Sequence, residues 1–180
     1  MKAPKRKLKV LISEEEIQKR CRELAAQINE EFAGDSVHVI GVLKGSFMFL
    51  SDLVRHLTID VSIDFLGLSS YGTNQETSGV VRMTSDLALP IKGRNVIIVE
   101  DIIDTGLTMK YLVENLRTRM PTSLKVCTLL SKPANTREDV PLDYVGFTIG
   151  NEFVIGYGLD DAEFSRNIPY VGVVDLDTQD

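Results

Sequence analysis

The chain has 180 residues, of which 43% are hydrophobic, 26% charged and 7% aromatic, and it carries a net charge of -6 with a pI near 5.0. That length points to one domain burying roughly 70% of the surface its unfolded form exposes, and the composition excludes disordered and fibrous classes. The acidic balance argues against nucleic acid as the main partner, because phosphate backbones call for a dense basic face.

The first nine residues hold Lys2, Lys5, Arg6, Lys7 and Lys9 around Pro4 without an acid, and are expected to form a flexible, solvated basic terminus. No apolar run approaches the ~20 residues that span a bilayer, and no charged-then-apolar leader opens the chain. A cytoplasmic protein without a membrane partner is expected. Ser13-Glu14-Glu15-Glu16 has the spacing of a capping box, and Ile17, Leu24, Ala25 and Ile28 continue a helix toward Gly34. "VHVIGVL" (37–43) predicts a buried strand, Lys44-Gly45-Ser46 a tight loop, and Phe47, Leu50, Val54 and Leu57 a second helix.

"IDVSIDFLGL" (59–68) and "VVRMTSDL" (80–87) predict extended segments either side of a polar stretch, 69–79, expected to be a mobile loop or lid. "NVIIVE" (95–100) is continuously apolar up to its acid, as in a parallel strand covered on both faces, and Met109, Leu112, Val113 and Leu116 mark a helical face. "LKVCTLL" (124–130) predicts another strand, and the last third is short strands with glycines. The expected architecture is a single α/β domain over 1–180, with a parallel core and a strand-rich appendage. Its ligand crevice should lie outside the carboxyl ends of the strands.

Cys21 and Cys127 lack any Cys-x-x-Cys or Cys/His grouping and are expected to be free, packing thiols. His38 and His56 have no nucleophile close in sequence. The chemistry instead concentrates in "VIIVEDIIDTGLTMKYL" (96–112), where Glu100, Asp101 and Asp104 crowd a strand exit before a Thr-Gly turn and a helix. Acids at one rim and the free amides of a helix N-terminus at the other suit a ligand with hydroxyls or a metal at one end and a phosphate at the other. An acidic first turn explains one such carboxylate, not three. "GVLKGS" (41–46) places its lysine wrongly for a Walker loop, and Gly156-x-Gly158 meets Asp161 where a dinucleotide fingerprint needs glycine.

"VIIVEDIIDTGLTM" resembles the phosphoribosyl pyrophosphate motif of type I phosphoribosyltransferases. "VLKGSFMFLSDL", "SSYG", "LLSKP", "EFVIGYGLD" and "RNIPYVG" follow in the order of the hypoxanthine-guanine family, so the resemblance covers about residues 10–175. It implies the type I fold, a parallel central sheet flanked by helices with a small strand-rich hood, and a Mg2+-dependent purine salvage enzyme. Its substrates would be 6-oxopurines and phosphoribosyl pyrophosphate, and its state a homodimer or homotetramer.

By the same resemblance, Glu100 and Asp101 bind the ribose hydroxyls directly or through magnesium. Asp104, Thr105, Gly106, Leu107 and Thr108 hold the sugar phosphate, with Asp104 as general base or as electrostatic support of a cationic sugar. Lys44 and Gly45, with a cis peptide at Leu43-Lys44, and Arg166 would meet pyrophosphate. Lys132 would bond the purine oxygen, Phe153 stack on the base, Val154 offer main-chain contacts, and Asp160 stand beside the purine at a second magnesium. Ser70 and Tyr71 would tip a closing loop. Asp161 departs from the family, which places an aromatic there. A regulatory protein that senses nucleotides and binds RNA on the same fold is the alternative.

Overall fold

The computed structural model describes residues 7–70 and 81–174. Strand β1 (Leu8–Ile12) is followed by α1 (Glu14–Glu31), β2 (Ser36–Leu43), α2 (Phe47–Val54) and β3 (Asp60–Ser70). After β4 (Val81–Ser85) come β5 (Asn95–Ile103), α3 (Leu107–Arg117), β6 (Ser123–Ser131), β7 (Tyr144–Thr148), β8 (Val154–Ile155) and β9 (Val171–Val174).

The capping box at Ser13 forms, with Glu16 N–H donating to Ser13 Oγ and Ser13 N–H to Glu16 Oε2. Helix α1 then buries Ile17, Cys21, Leu24, Ala25 and Ile28. Six strands lie in the order β4-β3-β2-β5-β6-β7, parallel except for β4, and a second sheet has the order β1-β9-β8. Strands β2 and β5 are buried almost throughout, as their unbroken apolar runs require. One core packs α1 and α2 on one face of the large sheet and reaches into the small one; the other packs α3 on the opposite face.

Among the boundaries that differ from those expected, three are informative. Leu8 and Lys9, assigned above to a flexible terminus, belong to β1, whose backbone is paired with β9 from the far end of the chain. Helix α2 ends at Val54, leaving Leu57 in the turn beyond it. Strand β5 continues to Ile103 because it stays in register with β6 as far as Ser131, so Asp101 sits inside the strand rather than after it. Ser70 ends β3, while Tyr71 and most of the expected lid lie outside the described residues.

Candidate active site

The carboxyl ends of β2 and β5 open onto a pocket of about 310 Å³, within the range of small-molecule sites. Its walls come from Val42–Gly45, from Glu100–Gly106 with Thr108 and Met109, from Leu68, and from Asp160 and Arg166. Four parts of the sequence thus converge, and they carry most of the site residues named above.

Close backbone approach assembles them. Gly45 lies so near Asp101 that an added Cβ would overlap the Oδ2 oxygen, and a Cβ on Gly158 would overlap the Gly45 carbonyl. The Leu43-Lys44 peptide is cis. Gly106 caps α3 with φ 80°, a left-handed conformation that favours glycine, and a Cβ there would strike the Glu138 carbonyl at 2.5 Å. The Thr105 carbonyl accepts hydrogen bonds from the Arg137 and Glu138 amides at 2.9 and 3.2 Å, so the β6–β7 connection grips the turn from outside. The first turn of α3 holds no acid, leaving its positive end uncompensated by its own side chains.

Glu100 and Asp101 are each 9% exposed, and among the described residues neither has a cation in ion-pair reach. Burial, and then the charge of Asp101, push the Glu100 carboxyl well above its ordinary range. Asp101 Oδ1 accepts from the Ile102 amide at 2.9 Å, and the Asp101 amide donates to Glu100 Oε1 at 3.3 Å. Asp104 Oδ2 stands 3.9 Å from Lys132 Nζ, and its buried Oδ1 makes no hydrogen bond among the described residues.

Lys132, Phe153 and Val154 are not pocket-lining residues. Lys132 is 6% exposed; its amide donates to the Ile103 carbonyl at 2.9 Å and its Nζ to the Glu152 carbonyl at 2.8 Å. It therefore ties Asp104 to the segment before β8, where Phe153 is 52% exposed, while Val154 opens β8 and is buried. Arg166 donates to the Gly158 carbonyl and pairs with Asp160 Oδ1, both at 2.8 Å. Lys44 Nζ meets Glu163 Oε2 at 2.7 Å. Glu163 escaped the sequence reading; its only local signal was an acid between Asp160 and Arg166.

Two buried carboxylates fit a hard divalent cation that keeps its waters and takes its remaining ligands from a substrate. A complete protein cage does not exist among the described residues, where no group of three or more acids, histidines or cysteines is placed to hold a metal.

Residues 12–162 match the phosphoribosyl transferase domain. The chain belongs to the phosphoribosyltransferase family. This phosphoribosyltransferase is 48% identical over 166 residues to hypoxanthine-guanine phosphoribosyltransferase of Bacillus subtilis, covering 92% of each chain. It is also 48% identical to hypoxanthine phosphoribosyltransferase of Haemophilus influenzae over 171 residues, 93% of this chain and 96% of that one. A crystal structure of a hypoxanthine-guanine phosphoribosyltransferase from Bacillus anthracis, with HEPES in its active site, superposes with a TM-score of 0.90 at 48% identity, covering 95% and 100% of the two chains. The fold is that of the type I phosphoribosyltransferases.

Proposed function

We propose that this phosphoribosyltransferase salvages purines, converting hypoxanthine and phosphoribosyl pyrophosphate into inosine monophosphate and pyrophosphate, with guanine as a second base. The observation that carries this reading is the buried Glu100–Asp101 pair, without a cation in ion-pair reach among the described residues, beside the N-terminus of α3, whose first turn holds no acid. Relatives named for hypoxanthine support the choice of base.

In this reading Thr105, Gly106, Leu107 and Thr108 hold the sugar phosphate through amides and hydroxyls, and Glu100 and Asp101 orient the ribose hydroxyls. Lys132 donates to the purine's exocyclic oxygen, Phe153 stacks on the ring, Val154 offers its main chain, and Asp160 closes the purine side. As the purine nitrogen bonds to the anomeric carbon, the bond from that carbon to the pyrophosphate oxygen breaks. The nitrogen's proton passes to Asp104, which serves as general base. Lys44, the Gly45 backbone and Arg166 receive the leaving pyrophosphate. Mg2+ would supply neutralising charge for the diphosphate, with Glu100 and Asp101 as oxygen ligands at one ion and Asp160 at a second. Ser70, at the end of β3, and Tyr71, outside the described residues, would tip a loop that excludes water from a cationic sugar.

No helix among the described residues is long and apolar enough to cross a membrane, and the reading includes a cytoplasmic homodimer or homotetramer. Ile63, Phe65 and Phe47 are exposed apolar side chains that such an assembly would cover. The decisive experiment incubates the enzyme with phosphoribosyl pyrophosphate, magnesium and, in turn, hypoxanthine, guanine, xanthine, adenine and uracil. Nucleotide should form with the first two bases, and formation only with adenine or uracil would overturn the assignment.

A further inference from the structure

Beside the pocket, the cations read as pyrophosphate ligands are already engaged by acids of their own chain. Glu163 Oε2 lies 2.7 Å from Lys44 Nζ and 3.8 Å from a terminal nitrogen of Arg166, and the same Arg166 nitrogen lies 2.8 Å from Asp160 Oδ1. Two cations and two carboxylates make the cluster neutral. Pyrophosphate, a multiply charged anion, would meet no net attraction there until a carboxylate withdrew.

The two acids differ in how firmly they are held. Asp160 is 30% exposed at its side chain, bound by Arg166 through one oxygen and by the Glu163 amide through the other at 2.8 Å. Glu163 is 66% exposed at its side chain, and the described partners of its carboxylate are Lys44 and Arg166. An ion pair this exposed contributes little and opens readily. The backbone presents Glu163 at this spot through a tight turn: Ala162, Glu163 and Ser165 have φ of 51°, 72° and 73°, a conformation that non-glycine residues adopt only where the surroundings hold them. Asp161 and Phe164 bond one another's backbone across that turn, each at 3.1 Å.

We propose that Glu163 is a displaceable internal counter-anion of the pyrophosphate subsite. Its carboxylate occupies Lys44 and Arg166 in the free enzyme, yields to the diphosphate of the incoming sugar, and returns as pyrophosphate leaves. This rests on the phosphoribosyltransfer reading of the pocket and adds a competitor to it. The competitor weakens pyrophosphate binding and so relieves product inhibition.

The test compares the full-length enzyme with Glu163→Gln and with Glu23→Gln. The latter makes the same charge change in a surface ion pair with Lys19 and Arg20. Inorganic pyrophosphate is titrated calorimetrically at fixed magnesium, and its inhibition constant against phosphoribosyl pyrophosphate is measured in parallel. Glu163→Gln should tighten both about two- to fivefold, the range an exposed pair supports, while Glu23→Gln leaves them unchanged. Unchanged or weaker binding by Glu163→Gln overturns the proposal, as does equal tightening in both variants, which would reflect net charge alone. If the unmodified enzyme forms no nucleotide and does not bind pyrophosphate, the reading of the pocket fails instead.

Discussion

The two ends of the large sheet treat their acids in opposite ways. At the amino ends of β6 and β7, Lys125 sits between Glu31 and Asp143 at 3.0 and 3.1 Å, and the Tyr144 hydroxyl donates to Glu31. These partners, Tyr144 first and then Lys125, hold the Glu31 carboxyl below its ordinary value. At the carboxyl end Glu100 and Asp101 are more deeply buried and meet each other instead of a cation, so Glu100 is pushed the other way. One end is a completed charge network; at the other, the two acids of β5 have no cation in ion-pair reach among the described residues. Burying unpaired carboxylates costs free energy, and the cost is understandable where a ligand brings the missing charge.

The largest expected effect tests the reactive end directly. Asp104→Asn should lower turnover of hypoxanthine by ~100-fold or more, the usual contribution of a positioned base, with phosphoribosyl pyrophosphate binding nearly intact. Steady-state kinetics beside a direct binding titration check this, and near-normal turnover would remove Asp104 from the proton transfer.

Lys132→Ala should weaken binding of 6-oxopurines by roughly 1.5 to 3 kcal/mol, as expected for a charge-assisted hydrogen bond to the ring oxygen. Equilibrium binding of inosine monophosphate reads the loss, and unchanged affinity would confine Lys132 to bracing Asp104 and Glu152.

At the opposite end, Lys125→Met should cost about 1 kcal/mol, discounted because these groups are partly exposed, or about 2 to 4 °C in Tm at this chain length. KM values should not move. The Glu31 carboxyl is depressed on folding, so its share is present above 4.5 and is lost as pH falls through the lower folded value. Lys125 is raised by Glu31 and then Asp143, so its share is full below 10.5 and is lost as pH rises through the higher folded value. The difference between the two proteins should therefore be widest across the intervening pH range, and thermal melts at pH 3, 7 and 11 would show it.

The smallest effect has the opposite sign. Glu100→Gln should leave the melting temperature at pH 7 unchanged or raise it by a few degrees, at about 2 to 4 °C per kcal/mol, because it keeps the shape while replacing a carboxyl whose ionisation burial and the Asp101 charge oppose. The same substitution should weaken phosphoribosyl pyrophosphate binding. Loss of stability would mean that Glu100 has a structural partner, and would erase the contrast between the ends.

Local chemistry was legible in the sequence. Ser13 to Glu16 encode their own cap, the apolar runs of β2 and β5 imply a covered parallel sheet, and Glu100 to Thr108 lie on one strand-turn-helix unit whose parts are neighbours in the chain. What the tertiary structure alone decided depends on partners far apart in sequence. Leu8 and Lys9, the start of β1, looked like part of a frayed basic terminus because the strand's order comes from β9; β5 outran its apolar core because β6 keeps it in register. The latch between Lys44 and Glu163 joins residues 119 positions apart. Helix caps and strand periodicity depend on short-range backbone geometry, which a sequence displays directly. Whether a buried acid has a cation beside it depends on how separate loops converge, and here that convergence distinguishes a braced end of the sheet from a reactive one.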